Sequence, residues 1–245
     1  MASVPYSFCQ KLEIAIPTLR RIGFNGIELL LRNAGDIEAL ELERLVSKYE
    51  LEVSAVGTGL ATLDGLYLGS QDESTRRRAV ERVKGFCKLA ERLDCGVVIG
   101  SIKGGVSPPP SLSSFARSMK ELGEARLIVE PLNRYESAIL NTAHQTLEFA
   151  HGNDLKWLGI LLDTFHMNIE ERSMEEPVRN VGKRLVHVHI ADSNRMAPGE
   201  GHVDFRGFFY ALKDIEYDGY VSAEILQEPA PEVALRKTID FLRTI

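Results

Sequence analysis

Cysteine is scarce in this chain: Cys9, Cys87 and Cys95 are the three among 245 residues. None forms a CxxC pair, so no disulfide framework or ribbon-type metal site is encoded, and such scattered thiols fit buried positions in a reducing compartment. An excess of positive charge is also missing. Lysine and arginine number 29 against 35 acidic residues, for a net charge of −6 and a pI near 5.6. That balance argues against sequence-independent nucleic-acid binding, which needs a positive surface. No apolar run reaches the roughly 20 residues of a membrane span, and the first residues lack the charged and apolar regions of a secretory signal. The expectation is a cytoplasmic protein that binds neither membrane nor nucleic acid.

Short apolar runs alternate with amphipathic stretches throughout. Strands are predicted near Tyr6–Cys9, Gly26–Leu31, Glu52–Val56, Val97–Ile102, Arg126–Glu130, Gly159–Asp163, Leu185–Ile190 and Tyr220–Ile225. Runs rich in Val, Ile and Leu suit strands buried on both faces. Helical patterns follow them, as in Asp36–Tyr49, in Asp72–Leu93, and at Leu235, Ile239 and Leu242 in the last helix, where Pro231 fits an early position. Thr142-Ala143-His144-Gln145 has the form of a capping box. Eight such units in about 250 residues imply an α/β protein, a single (β/α)8 TIM barrel spanning residues 1–245, with right-handed crossovers. Gly104-Gly105 and Pro108-Pro109-Pro110 fall where the loop after the fourth strand belongs, so they read as an active-site loop and not as a linker. The helical segment that follows, Ser111–Glu124, is short for a barrel unit.

Four residues of metal-ligand type stand at the ends of the last four predicted strands: Glu130, Asp163, His189 and Glu224, spaced by 33, 26 and 35 residues. These intervals approximate the ~30 residues of one βα unit, and strand C-termini of a barrel converge on its active face. Each residue alone has an ordinary structural role: a Glu or Asp capping a helix, a His hydrogen-bonded in a core. Together they describe a mostly hard-oxygen divalent metal site. His187 lies two residues before His189, on the same side of the strand but one layer deeper, and reads as a barrel-core histidine. Glu136, His166 and Arg195 follow the ligand candidates by three to six residues and are placed to line the mouth.

At these residues the chain resembles a known family. Glu-Pro-Leu-Asn-Arg-Tyr-Glu (130–136), Leu-Asp-Thr-Phe-His-Met-Asn-Ile-Glu-Glu (162–171), His-Val-His-Ile-Ala-Asp-Ser-Asn-Arg (187–195) and Pro-Gly-Glu-Gly-His-Val-Asp-Phe (198–205) are similar to ketose 3-epimerases of the D-tagatose 3-epimerase type, in the xylose-isomerase-like superfamily of sugar phosphate isomerases/epimerases. The likeness is strongest from about Leu127 to Glu228. Upstream it rests on Gly-Phe-Asn-Gly-Ile-Glu-Leu (23–29). The resemblance implies that Glu130, Asp163, His189 and Glu224 bind Mn²⁺, with Mg²⁺, Co²⁺ and Zn²⁺ as alternatives. It further implies that Glu130 and Glu224 double as the acid/base pair, and that Glu136, His166 and Arg195 bind the C1–C3 end of the sugar. The shortened fourth unit and the end of the chain just after the eighth helix depart from the larger epimerases, so a linear ketose is not the sole substrate to consider. Cyclic polyol ketones such as inososes belong beside it.

The expected activity is therefore that of an isomerase: epimerisation of a small ketose or inosose by deprotonation and reprotonation at C3 through a metal-stabilised enediolate. An aldose–ketose isomerase or an inosose-type dehydratase would use the same site, and a metal-retaining sugar-binding barrel is the non-enzymatic alternative. An apurinic-site endonuclease shares the scaffold but needs further His and acidic ligands and a basic face. A homo-oligomer, dimer or tetramer, is expected by the same resemblance.

Overall fold

The computed structural model describes residues 1–3, 5–7 and 11–245, with side chains at Met1, Ala2 and from residue 11 onward. The strands are β1 (Ala2–Ser3), β2 (Pro5–Ser7), β3 (Gly26–Leu30), β4 (Glu52–Gly57), β5 (Gly96–Ile99), β6 (Leu127–Val129), β7 (Gly159–Asp163), β8 (Leu185–Ile190) and β9 (Tyr220–Ala223). All pair in parallel, in the order β1-β9-β8-β7-β6-β5-β4-β3-β2. Successive pieces of one N-terminal stretch thus hold both ends of the sheet and close it into the expected α/β barrel. The predicted first strand, Tyr6–Cys9, coincides with β2 in part; Phe8 and Cys9 lie outside the described residues.

The helices are α1 (Leu12–Ile22), α2 (Ala39–Lys48), α3 (Glu73–Arg92), α4 (Leu112–Leu122), α5 (Ala143–Gly152), α6 (Thr164–Glu170), α7 (Glu175–Val181), α8 (Phe205–Asp214) and α9 (Pro231–Leu242). Local chemistry sets their starts. Asp72 accepts from the amide of Thr75 at 2.7 Å to cap α3, Thr142 and Gln145 form the predicted capping box of α5, and Pro231 opens α9. One departure from strict alternation follows β7, where two short helices replace one. Asp163 ends the strand and caps α6 at once, its Oδ1 accepting from the Phe165 amide at 2.7 Å. Ser173 then accepts from the amide of Glu176 at 3.1 Å, giving α7 a separate start.

Strand alternation sorts the barrel into two environments. In β7, Ile160 and Leu162 pack outward with Val178, Val188, Ile190 and Phe208, under α7 and α8. In β5 and β6, Val97, Ile99, Leu127 and Val129 join the larger outer core beneath α1 to α5. The alternate residues Ala55, Val98, Ile128 and Leu161 form a separate buried cluster inside the barrel. On the other strands the same parity brings polar groups inward: Glu28 of β3, His187 and His189 of β8, and Ser222 of β9 are all buried.

α4, expected to be short, has 11 residues, as many as α1 and more than α2, α5 or α8, and it is anchored by Phe115, fully buried and stacked on Phe149 of α5 with ring centroids 5.1 Å apart. Phe115→Ala removes this anchor. A loss of about 3–5 kcal/mol of unfolding free energy is expected, the range for truncating a packed core aromatic, as measured by urea denaturation. A loss below about 1 kcal/mol would mean that α4 is held by something other than this contact.

Candidate functional site

The parity that buries Ile128, Leu161, His187 and Ser222 inside the barrel carries, two residues further on, Glu130, Asp163, His189 and Glu224 to its C-terminal mouth. Asp163 lies beside His189 in the β7–β8 register, and His189 beside Ser222 in the β8–β9 register. One ligand atom from each of the four candidate ligands falls within 4.8 Å of the others. His189 Nδ1 faces the carboxylates, 3.1 Å from Glu224 Oε2, 3.5 Å from Glu130 Oε1 and 3.8 Å from Asp163 Oδ2. Glu130 Oε1 is buried with no hydrogen-bond partner among the described residues. A convergent set of three carboxylates and one imidazole, with a buried oxygen left unpaired, fits a divalent cation.

The other nitrogen of His189 meets Glu28, a residue absent from the sequence-based candidates although it stands in the phrase Gly23–Leu29. Glu28 Oε2 lies 2.9 Å from His189 Nε2 and 3.0 Å from His187 Nε2. His187 is thus the hydrogen-bonded interior histidine that its depth in the strand predicts. Glu28 is positioned to hold a proton on His189 Nε2 and leave Nδ1 turned to the mouth, the usual arrangement for a metal-binding histidine backed by a carboxylate. Burial opposes ionisation of this network, yet mutual attraction prevails. Glu28 is held well below the usual carboxylate range by His189 and His187, and His189 well above the usual imidazole value by Glu28 and Glu224.

Arg195 enters from the loop after β8. Its guanidinium donates to Asp163 Oδ2 at 2.9 Å and also to Glu224, and it lies over the Phe165 ring, 4.6 Å from the centroid. Burial works against the charge of Asp163, but Arg195, His166 and His189 outweigh it and hold that carboxyl below its usual range. Glu224 moves the other way, raised chiefly by burial. Arg195 takes a backbone φ of +65°, which the loop enforces. Buried Asp192 accepts from the amides of Ser193, Gly199 and Val203 at 2.7, 2.8 and 3.1 Å, and so organises the segment that carries the arginine.

His166 sits on α6, because that helix begins directly after Asp163. Its Nε2 is 3.8 Å from Glu130 Oε1. Asn133 joins it to Glu136, donating to Glu136 Oε1 at 2.8 Å and lying 2.8 Å from His166 Nδ1. The seven sequence-derived candidates therefore gather at one mouth, with Asn133 as an addition there and Glu28 as one beneath it. Lys103 is a further one. It is fully buried, donates to the Glu130 main-chain oxygen at 2.9 Å, and burial pulls its ammonium down to about 7.

The chain belongs to the xylose isomerase-like TIM barrel family, whose model matches residues 16–245. It is 31% identical over 246 residues to an L-ribulose 3-epimerase of Methylomonas sp. (strain DH-1), a match covering 94% of this chain and 84% of that one. It is 29% identical over 249 residues to a 3-dehydro-D-guloside 4-epimerase of Escherichia coli (strain K12), covering 92% of each. Among solved structures it superposes on a D-allulose 3-epimerase from Methylomonas sp. with a TM-score of 0.88 and 26% identity, over 99% of this chain and 96% of the other. With these relatives it stands among the isomerases that act on carbohydrates, as the residues from Leu127 onward lead one to expect. Among the described residues, no helix is long and apolar enough to cross a membrane.

A pH dependence follows from the Glu28–His network. A carboxylate lowered by folding contributes stability above its ordinary value and loses it as pH falls toward the folded value. An imidazole raised by folding contributes stability below its ordinary value and loses it as pH rises through the folded one. For metal-free protein, the stability difference between wild type and Glu28→Gln is therefore expected to be largest between pH 4.5 and 6.5, the ordinary values of the two groups. It is expected to shrink on either side when urea midpoints are measured in EDTA. A difference independent of pH would contradict the ion pair.

Proposed function

We propose that this protein is a divalent-metal-dependent epimerase acting at C3 of a small ketose or cyclic polyol ketone, with Mn²⁺ as the ion. The observation that carries this reading is the convergence of Glu130 and Glu224 on one point from β6 and β9, strands three places apart in the sheet order. The names of the relatives, ketose 3-epimerases and a 4-epimerase of a keto sugar derivative, support the same class of substrate.

Glu130, Asp163, His189 and Glu224 are the residues that would hold the ion. When bound, it supplies a Lewis acid that stabilises negative charge on oxygens beside the C–H bond being broken. One of the two glutamates removes the proton from one face of the carbon, and the other delivers a proton to the opposite face, inverting the centre. In the reverse direction their roles exchange. Burial raises the Glu224 carboxyl above its ordinary range, and a bound cation would oppose that shift. Arg195 and His166 hold the oxygens at the C1–C2 end, and Glu136, fixed through Asn133, takes a neighbouring hydroxyl. Tying these groups to one another before substrate arrives reduces the cost of orienting them.

The test is proton NMR of a panel of ketoses and inososes in D₂O with Mn²⁺, with and without EDTA. The expected result is metal-dependent loss of one C–H signal beside the carbonyl, together with a new diastereomer. Glu130→Gln and Glu224→Gln are each expected to slow conversion by about 10²-fold or more. Formation of an aldose or an unsaturated product would reassign the reaction to an isomerase or a dehydratase. Near-normal exchange in either variant would overturn the two-carboxylate assignment.

A further inference from the structure

We infer that the turn after β5 acts as a template for Glu130, with Gly100 and Lys103 as positioning residues for its carboxylate; this deepens the epimerase reading and rests on it. The observations concern two sides of the same residue. From below, Lys103 Nζ donates to the main-chain oxygen of Glu130 at 2.9 Å and lies 3.5 Å from that of Gly100, so one ammonium ties the end of β5 to the residue just beyond β6. Lys103 is fully buried, and no carboxylate oxygen lies within ion-pair distance of its Nζ among the described residues. A buried lysine spent on two carbonyls is costly unless the position it fixes is needed.

From the side, Gly100 leaves space that Glu130 uses. A Cβ placed there would stand 2.6 Å from Glu130 Oε2 and 3.7 Å from its carboxyl carbon. Real Cβ atoms essentially never come that near an oxygen, so any side chain at position 100 must push the carboxylate away. The other oxygen, Oε1, remains buried and unpaired, facing His189 Nδ1 at 3.5 Å. The carboxylate is thus placed by exclusion at Oε2 and by anchoring of its own backbone, with Oε1 buried and free of a hydrogen-bond partner among the described residues. A group that must bind a cation and exchange a proton gains from being held this way, because a partner bonded to either oxygen would compete.

The experiment uses Gly100→Ala, Lys103→Met and Lys103→Arg in the full chain, with Glu130→Gln as reference. Mn²⁺ alone is titrated first, by electron paramagnetic resonance of the free ion. Gly100→Ala and Lys103→Met are each expected to weaken binding by about 10–100-fold, the range for losing support behind a ligand, with Lys103→Arg closer to wild type. At saturating Mn²⁺, each sugar epimer is then incubated separately in D₂O. If Glu130 is displaced while Glu224 still works, the epimer deprotonated by Glu224 exchanges its hydrogen faster than it converts. The other epimer loses exchange and conversion together. A general loss of structure slows both alike. Wild-type Mn²⁺ affinity in folded Gly100→Ala and Lys103→Met, or equal slowing of both epimers with no split between exchange and conversion, would overturn the template. If wild type itself exchanges no hydrogen, the epimerase reading fails, while the Mn²⁺ titrations still report on the placement of Glu130.

Discussion

A parallel strand buried on both faces offers its alternate residues to two environments, and in a closed barrel one of them is a narrow interior. Leu161 and Asp163, Ile128 and Glu130, His187 and His189, Ser222 and Glu224 are pairs of the same parity, one step apart along the barrel axis. The deeper member is apolar on β6 and β7 and polar on β8 and β9. The upper member is a ligand-type residue on all four. The convergence of four such side chains within 4.8 Å follows from strand spacing and parallel register, without any special loop conformation. A one-residue slip in any of these strands would turn its functional residue into the outer apolar core.

Within that frame the balance of charge concentrates on His189. One nitrogen faces Glu28 below, the other faces Glu130, Asp163 and Glu224 above, and so the ring links an interior carboxylate to the mouth. Three carboxylates held so close repel one another. Arg195 relieves part of that repulsion by bridging Asp163 and Glu224. The strained backbone of Arg195 and the amide-binding role of Asp192 make sense together: the loop is built to bring one guanidinium to this point. The geometry favours a cation at the mouth and a negatively charged transition state beside it.

Much of this is legible in the amino-acid pattern, for reasons that can be named. Asp163 closes a clear apolar run, and His189 and Glu224 stand near the ends of theirs, so parity and height in the barrel can be counted from the residues. Glu130 follows the shortest of these strands, and the run Leu127-Ile128-Val129 was enough to place it. Glu28 is not legible in the same way, because one glutamate in an apolar strand has no local marker. Its partners are 159 and 161 residues away, and closure of the barrel alone brings them together. Lys103 was hidden among glycines and prolines that read as a loop, where a lysine is ordinarily solvated. The early start of α6 has no marker of its own, because Asp163 serves twice, as a functional side chain and as the cap of α6, and the capping role moves the helix start onto the strand end.

Two neighbouring groups of ligand type share His189: Glu130, Asp163 and Glu224 gather at its Nδ1, and Glu28 with His187 at its Nε2. The most direct test of the central claim is where a cation settles. Crystals grown with Mn²⁺ and measured near the manganese absorption edge would locate the ion by anomalous scattering. The account requires one ion at the mouth, ligated by His189 Nδ1 and an oxygen from each of Glu130, Asp163 and Glu224, with Glu28 still bonded to Nε2. An ion seated between Glu28, His187 and His189, or an empty mouth at saturating Mn²⁺, would contradict it.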